Sequence, residues 1–408
     1  MAERRLQQQI RLFCAFRVLS GGLSCCVPVI VLFWQKHGLS LTDVTLLQAI
    51  FCLLVVVLEV PSGYAADRLG RKRVILLGSI ASALGAAIYV IAHGWSWFLA
   101  SEVCFAFGIS MVSGANSAWL YDLLLENGQE SRYEELWGRS QAYSMGGYAV
   151  LSVCGGVLYE LHDRAPFWLG GILMGLAVLC AVCLEGDAPD EHRSEERGGA
   201  APASMVEILR RNLLSNRSLV RLLVGSALVF AATQVGLWFY QPYMVLCGVR
   251  PRWFGLVFAS FHVVAGAASH RSAKLDSWFD RLPFGAGPLL VLAASHLGMG
   301  IAAGMAGLPF MYLQQVVRGW LVVSLSRRVN EVVASSERAT LLSFVSIGNR
   351  GAYGLVLPLA GMAGDCWGLP AAMSVIGSVV LVVAVGIACC GRTWVCCPKV
   401  ARPADAVE

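Results

Sequence analysis

Glu59-Val60-Pro61-Ser62-Gly63-Tyr64-Ala65-Ala66-Asp67-Arg68-Leu69-Gly70-Arg71-Lys72-Arg73-Val74 stands between two long apolar runs and decides how they are arranged. A polar connector this short allows only a tight reversal, so the flanking runs form an antiparallel hairpin. Gly70 permits the turn, and Gly63 permits close helix approach near the membrane edge. Four bases, Arg68, Arg71, Lys72 and Arg73, mark this connector as a cytoplasmic one. Acids contribute little to that orientation, so Asp67 has another use.

Outward from this loop the chain keeps the same texture. Of its 408 residues 57% are hydrophobic and 14% charged, at a mean hydropathy of +0.65. One soluble core cannot hide that much apolar surface, and the runs have the length of about 20 residues that crosses a bilayer. Twelve spans are expected, near 12–34, 41–63, 74–93, 95–121, 140–161, 165–185, 219–247, 252–270, 283–304, 308–327, 340–363 and 368–390. Strands of a membrane barrel would be about half as long and would alternate, so the fold class is all-α. The first span is too long and lacks a cleavage site, which excludes a removable signal peptide.

The basic residues test this count. With the N-terminus in the cytosol, only Lys36, Arg164, Arg250 and Arg252 fall outside, while Arg17, Arg318 and Arg350 fall within spans. The remaining 24 of the 31 Lys and Arg face the cytosol, and both termini lie there. The net charge of +5 is thus explained by topology, and nucleic acid is excluded as a partner. The 14 cysteines mostly sit inside spans as small hydrophobes, although Cys389-Cys390 and Cys396-Cys397 bracket the end of the last apolar run as two vicinal pairs.

The longest polar stretch divides six spans from six. The expected organisation is an N-terminal half, 1–185, a cytoplasmic linker, 186–218, and a C-terminal half, 219–408. Within the linker, residues 205–214 suit a helix lying on the inner membrane surface. A faint repeat supports the division: Arg139 and Ser144 open span five as Arg338 and Ser343 open span eleven.

The loop resembles the signature of the major facilitator superfamily, Gly-x-x-x-Asp-Arg-x-Gly-Arg-Lys/Arg, matched by Gly63, Asp67, Arg68, Gly70, Arg71 and Lys72. The resemblance implies two six-helix halves that rock about a central site open to one side at a time. It also implies that this loop is a clasp. Asp67 would face the N-terminus of helix eleven, near Ser335-Ser336-Glu337-Arg338, where the helix dipole favours an anion, and Arg71 would reach Asp122 at the end of helix four. The arginine-bearing motif of helix four and the Gly-Pro motif of helix five found in the family's drug/proton antiporters are not clear here, which weakens antiport.

Ionisable groups at membrane depth cost roughly 2.5–3.5 kcal/mol each, so they face a cavity or a partner. In the family, helices one, four, seven and ten line the cavity. This makes Arg17, Asn116, Gln234, Trp238, Gln314 and Arg318 the candidate substrate contacts; Arg318 satisfied by carbonyls or by Glu59, and the aromatics serving as packing, are the alternatives. Glu59 and His262 are the candidate proton carriers. Among deep acids only Glu59 and Glu102 stand out, and neither lies at the midplane, which leans toward an anionic or zwitterionic solute. No metal-ligand spacing, cofactor motif or nucleotide-binding loop is present, and no obligate protein partner is evident. The expectation is a non-enzymatic secondary transporter of a small organic solute in a bacterial plasma membrane, working by proton-coupled efflux. Proton-coupled uptake of an organic anion, or a non-transporting sensor or lipid-handling protein on the same fold, are the rivals.

Overall fold

The structure is a computed structural model that describes residues 2–186, 216–302, 304–332 and 338–390, without the side chains of 2, 60, 67, 332 and 338–343. The surface helix expected at 205–214, Cys396 and Cys397 lie outside the described residues. Every long element described is a helix: α1 (Ala2–Leu19), α2 (Ile30–Lys36), α3 (Leu41–Leu69), α4 (Arg71–Ile91), α5 (Trp95–Glu126), α6 (Tyr133–Leu161) and α7 (Ala165–Cys183) precede the linker. After it come α8 (Arg217–Leu246), α9 (Phe254–His270), α10 (Ser272–Phe279), α11 (Ala286–Ile301), α12 (Leu308–Val332), α13 (Arg338–Trp367) and α14 (Leu369–Cys389). With α1 and α2 sharing one crossing and α10 a short connector, these make twelve membrane-spanning helices.

The first span departs from the continuous helix expected at 12–34. It breaks after Leu19 through a 3-10 turn at Gly22–Cys25, and the segment up to Cys25 is bent by 44° from the helix Ile30–Lys36. Two features cause the break. Pro28 has no N–H to give, and the chain at Gly21-Gly22 lies so close to Tyr148 and Gly170 that no Cβ fits at either glycine. Gln241 of α8 satisfies backbone groups freed by the break: its Oε1 accepts from Val31 N–H (2.8 Å) and its Nε2 donates to Val27 O (2.8 Å). An unsatisfied backbone group is costly inside a membrane, so this one side chain holds the broken span together.

Contacts group the chain into two units. Of the described residues, unit 1 holds 2–186 with 238–262 and 354–366, so these stretches of α8, α9 and α13 pack with the N-terminal spans; unit 2 holds the other described residues. In unit 1 one cluster gathers Phe13, Phe16, Trp119 and Leu120, and another gathers Phe33, Trp34, Tyr89, Phe98 and Phe167. Small residues bring α4 and α5 together: a Cβ on Gly78 would meet Gly108 O at 2.9 Å, and Ser101 Oγ donates to Gly85 O. Unit 2 is built around Trp320, Leu289, Leu292, Val229 and Val317.

Candidate functional site

At the reversal between α3 and α4, Gly70 ends one helix and starts the next at φ +88°, the left-handed region where glycine alone is unstrained. Arg71 Nε lies 3.7 Å from Asp122 Oδ2 at the end of α5, both half-buried. Arg68 stacks over its neighbour Tyr64 (4.7 Å), and Lys72 is half-buried. Among the described residues, a Cβ at Gly63 would meet nothing within 4 Å. The side chain of Asp67, residues 335–337 and the side chain of Arg338 lie outside the described residues.

At the other end of α3 an acid of α13 meets the helix N-terminus. Ser40 caps α3, its Oγ accepting from Asp43 N–H, while Asp43 accepts from the Ser40 backbone. The next two free amides go to α13. Asp365 Oδ1 accepts from Leu41 N–H (2.9 Å), and Oδ2 accepts from Thr42 N–H (2.8 Å) and Thr42 Oγ1–H (2.6 Å). The first three orphan donors of the helix are therefore all satisfied. Asp365 lies beyond the apolar run of its span. Partial burial pushes its carboxyl up, but the Thr42 hydroxyl and the Thr42 and Leu41 amides outweigh this and hold it below the usual carboxylate range. Helix-dipole capture of an acid is what the sequence led us to expect of Asp67 and helix eleven; here the end of helix eleven supplies the acid and helix two the N-terminus.

Close backbone contacts extend this closure. A Cβ on Gly155 would sit 1.7 Å from Cys25 O, one on Gly255 1.9 Å from Ser152 O, and one on Gly156 2.8 Å from Pro251 O. On the same rim Lys36 pairs with Asp163 (2.8 Å), and Arg164 donates to Ala92 O (3.0 Å) and to Val90 O. Arg252 and Glu160 approach to 4.0 Å.

The interior candidates separate by environment. In unit 1 Arg17 is half-buried with its guanidinium over Trp137 (4.7 Å) and its Nε unbonded; Asn116 is buried with Oδ1 unbonded. Trp238 is half-buried and stacks on Trp34 at 6.1 Å. Trp119 is in the packing, against Phe13 (5.0 Å) with Nε1–H donating to Glu185 O. In unit 2 Gln234 and Arg318 are half-buried, whereas Gln314 is fully buried against Gly236 and donates to Ser295 Oγ (3.0 Å). His262 is exposed. Glu59 is half-buried with Oε2 unbonded. Glu102, noted from the sequence but given no role, is 5% exposed; its carboxyl meets Tyr89 Oη–H at 2.5 Å and Gln48 Nε2–H at 3.2 Å. Both partners are neutral, and no cation pairs with it among the described residues.

Apolar helices of this number and length define a multi-span membrane protein. A family model described as the Major Facilitator Superfamily matches residues 12–313. The chain belongs to the Major Facilitator Superfamily. Among curated proteins it is similar to the "Quinolone resistance protein NorA" of Staphylococcus aureus, 25% identical over 166 residues, 41% of this chain and 42% of that one. It is also similar to the "Methyl viologen resistance protein SmvA" of Salmonella typhimurium, 28% identical over 145 residues, 36% of this chain and 28% of that one. The chain thus aligns with less than half the length of these relatives. Among solved structures, the nucleoside transporter NupG is matched at TM-score 0.72 and 12% identity over 94% of this chain and 98% of that one. A peptide transporter, POT, in complex with sulfate is matched at 0.64 and 15% over 95% of each. At these identities the likeness is one of fold.

Proposed function

We propose that this protein exports a small amphipathic organic solute across a bacterial plasma membrane in exchange for protons, by alternating access of the halves 1–185 and 219–408 joined by the linker 186–218. Both termini then lie in the cytosol. The observation that carries the reading is the Asp365 clasp on α3, a bond set strong enough to hold one end shut and small enough to be broken in a cycle. With it closed, the solute enters from the cytosol; the contacts proposed for it are Arg17, Asn116 and Trp238 in unit 1 and, each in its own surroundings, Gln234 and Arg318 in unit 2. Opening the Asp365 end releases the solute outside, and Asp67, with Arg71 and Asp122, then secures the cytosolic end.

The names of the two relatives support export, since resistance follows when a membrane protein lowers the internal level of an agent. Both named agents are flat aromatic compounds, which suits Trp238 stacked on Trp34. Everted vesicles acidified inside are expected to accumulate a labelled planar aromatic amphiphile until a protonophore is added. Loss of preloaded solute instead would mean uptake by symport, and no substrate-dependent proton flux at all would mean a sensor on a transporter fold.

Proton exchange needs a carboxyl that is stable in both charge states. Glu59 and Glu102 are placed for this, and Glu102 has the better-defined surroundings: Tyr89 and Gln48 solvate an anion without neutralising it. In the same vesicles Glu102→Gln is expected to lower proton-driven accumulation by about tenfold, ~1.4 kcal/mol, with solute exchange in the absence of a gradient retained. Undiminished accumulation would remove Glu102 from the proton path.

A further inference from the structure

The short connector helix α10 separates its charges by face. Its acids turn toward α12: Asp276 accepts from Trp320 Nε1–H (2.9 Å), Ser324 Oγ–H (2.7 Å), Arg327 (2.9 Å) and Arg328 (3.3 Å), and Asp280 takes Arg328 at 2.5 Å. The carboxylates are therefore spent on the arginines of α12. The other face is basic and aromatic. Arg271, Lys274 and Trp278 follow at the i, i+3, i+7 spacing of one helix side, and all three are exposed, Trp278 by 64%. Neither Arg271 nor Lys274 has a carboxylate within ion-pair distance among the described residues.

These three residues edge a groove of about 450 Å3 whose wall is apolar: Val264, Ala267 and Ala268 of α9, Leu275 of α10 and Val316 of α12. The groove starts where a membrane span ends and runs back along that span. Its chemistry is that of a ligand with an anionic head and a long apolar tail. Cations at the end of a span attract anionic lipid headgroups, and tryptophan settles at headgroup level. A zwitterionic head brings its own ammonium, which Arg271 and Lys274 would repel.

We propose that this groove binds one anionic phospholipid, its phosphate on Arg271 and Lys274 and an acyl chain against Val264, Ala267, Ala268 and Val316. Occupancy would cover the outer face of α10, whose inner face Asp276 already fixes to α12. The site does not depend on what solute the protein carries or on its direction.

The test is native mass spectrometry of the purified full-length protein, delipidated and titrated with phosphatidylglycerol or phosphatidylcholine. Phosphatidylglycerol is expected to bind about tenfold more tightly. That preference should vanish in Arg271→Gln/Lys274→Gln and persist in Arg271→Lys/Lys274→Arg. A melting curve in phosphatidylcholine checks that the glutamine variant is folded. If it is not, Ala267→Trp takes its place, since it fills the groove while sparing both cations and must also lose the lipid. Equal binding of the two lipids by the wild type, unchanged preference in the glutamine variant, or displacement of the lipid by inorganic phosphate would each overturn the assignment.

Discussion

Gly255→Val is expected to reduce transport to background while leaving a folded, membrane-inserted protein. The first turn of α9 rests directly on α6, so a Cβ at Gly255 would lie 1.9 Å from Ser152 O, 2.6 Å from Ser152 C and 2.7 Å from Val153 Cα. All three are backbone atoms. No rotamer change relieves the clash, and the helices must part. Overpacking of this kind costs typically about 1–3 kcal/mol, and more where the obstacle is rigid. Taking ~3 kcal/mol, the closed end is disfavoured by roughly 100-fold. The penalty falls on one conformation of a contact between surfaces already built, so each helix bundle keeps its own core. A short bifunctional thiol reagent checks the geometry in a background lacking exposed cysteines. With Glu160→Cys and Arg252→Cys, whose native side chains approach to 4.0 Å, cross-linking should be efficient with Gly255 and lost with valine. Full transport by Gly255→Val would mean that this end need not close.

The same contacts mark the limit of what the residues announce by themselves. The twelve spans follow from apolar run length, and the reversal at Gly70 from a glycine between an acid and three bases; both are local properties of the chain. The break in span one was also written locally, in Gly21-Gly22 and Pro28, but an apolar run of span length outweighed it. Gln241, Asp365 and Gly255 were not legible, because their roles depend on the register of helices far apart in sequence. An acid five residues after Ala360 near the end of a span looks like any polar terminus until the N-terminus of α3 stands opposite. The signal available was symmetry. If the acid at the end of helix two is expected to cap helix eleven, the acid at the end of helix eleven is the place to look for its counterpart. Interior residues are legible only as a set. Composition puts glutamines and arginines inside the bundle, but only packing divides Gln314, bound to Ser295, from Arg17, whose Nε is unbonded.

Asp365→Asn probes the clasp by charge alone. The amide keeps the shape and one acceptor oxygen, so one bond to Leu41 or Thr42 can survive while the charge facing the helix N-terminus is lost. Loss of a capping acceptor costs about 0.5–2 kcal/mol, and loss of the charge about 0.3–1 kcal/mol more. A shift of ~1–3 kcal/mol moves a two-state equilibrium by about 5–150-fold. The cytosol-open form is thereby depleted, so the apparent affinity for solute offered on the cytosolic side should fall, by up to the same factor where that form is already the minor one. In everted vesicles this reads as a raised half-saturation concentration. Thr42→Val, which removes only the 2.6 Å hydroxyl bond, should produce a smaller change in the same direction. The sign with pH follows from the depressed carboxyl: its contribution to closure is complete above the ordinary carboxylate value and is lost only as pH falls through the lower value of the closed state. Between about pH 5 and 8 the clasp is therefore constant, and Asp365→Asn should scale the transport curve without moving its pH midpoint. A displaced midpoint would make Asp365 part of the proton path, and an unchanged half-saturation would show that its three bonds do not hold this end shut.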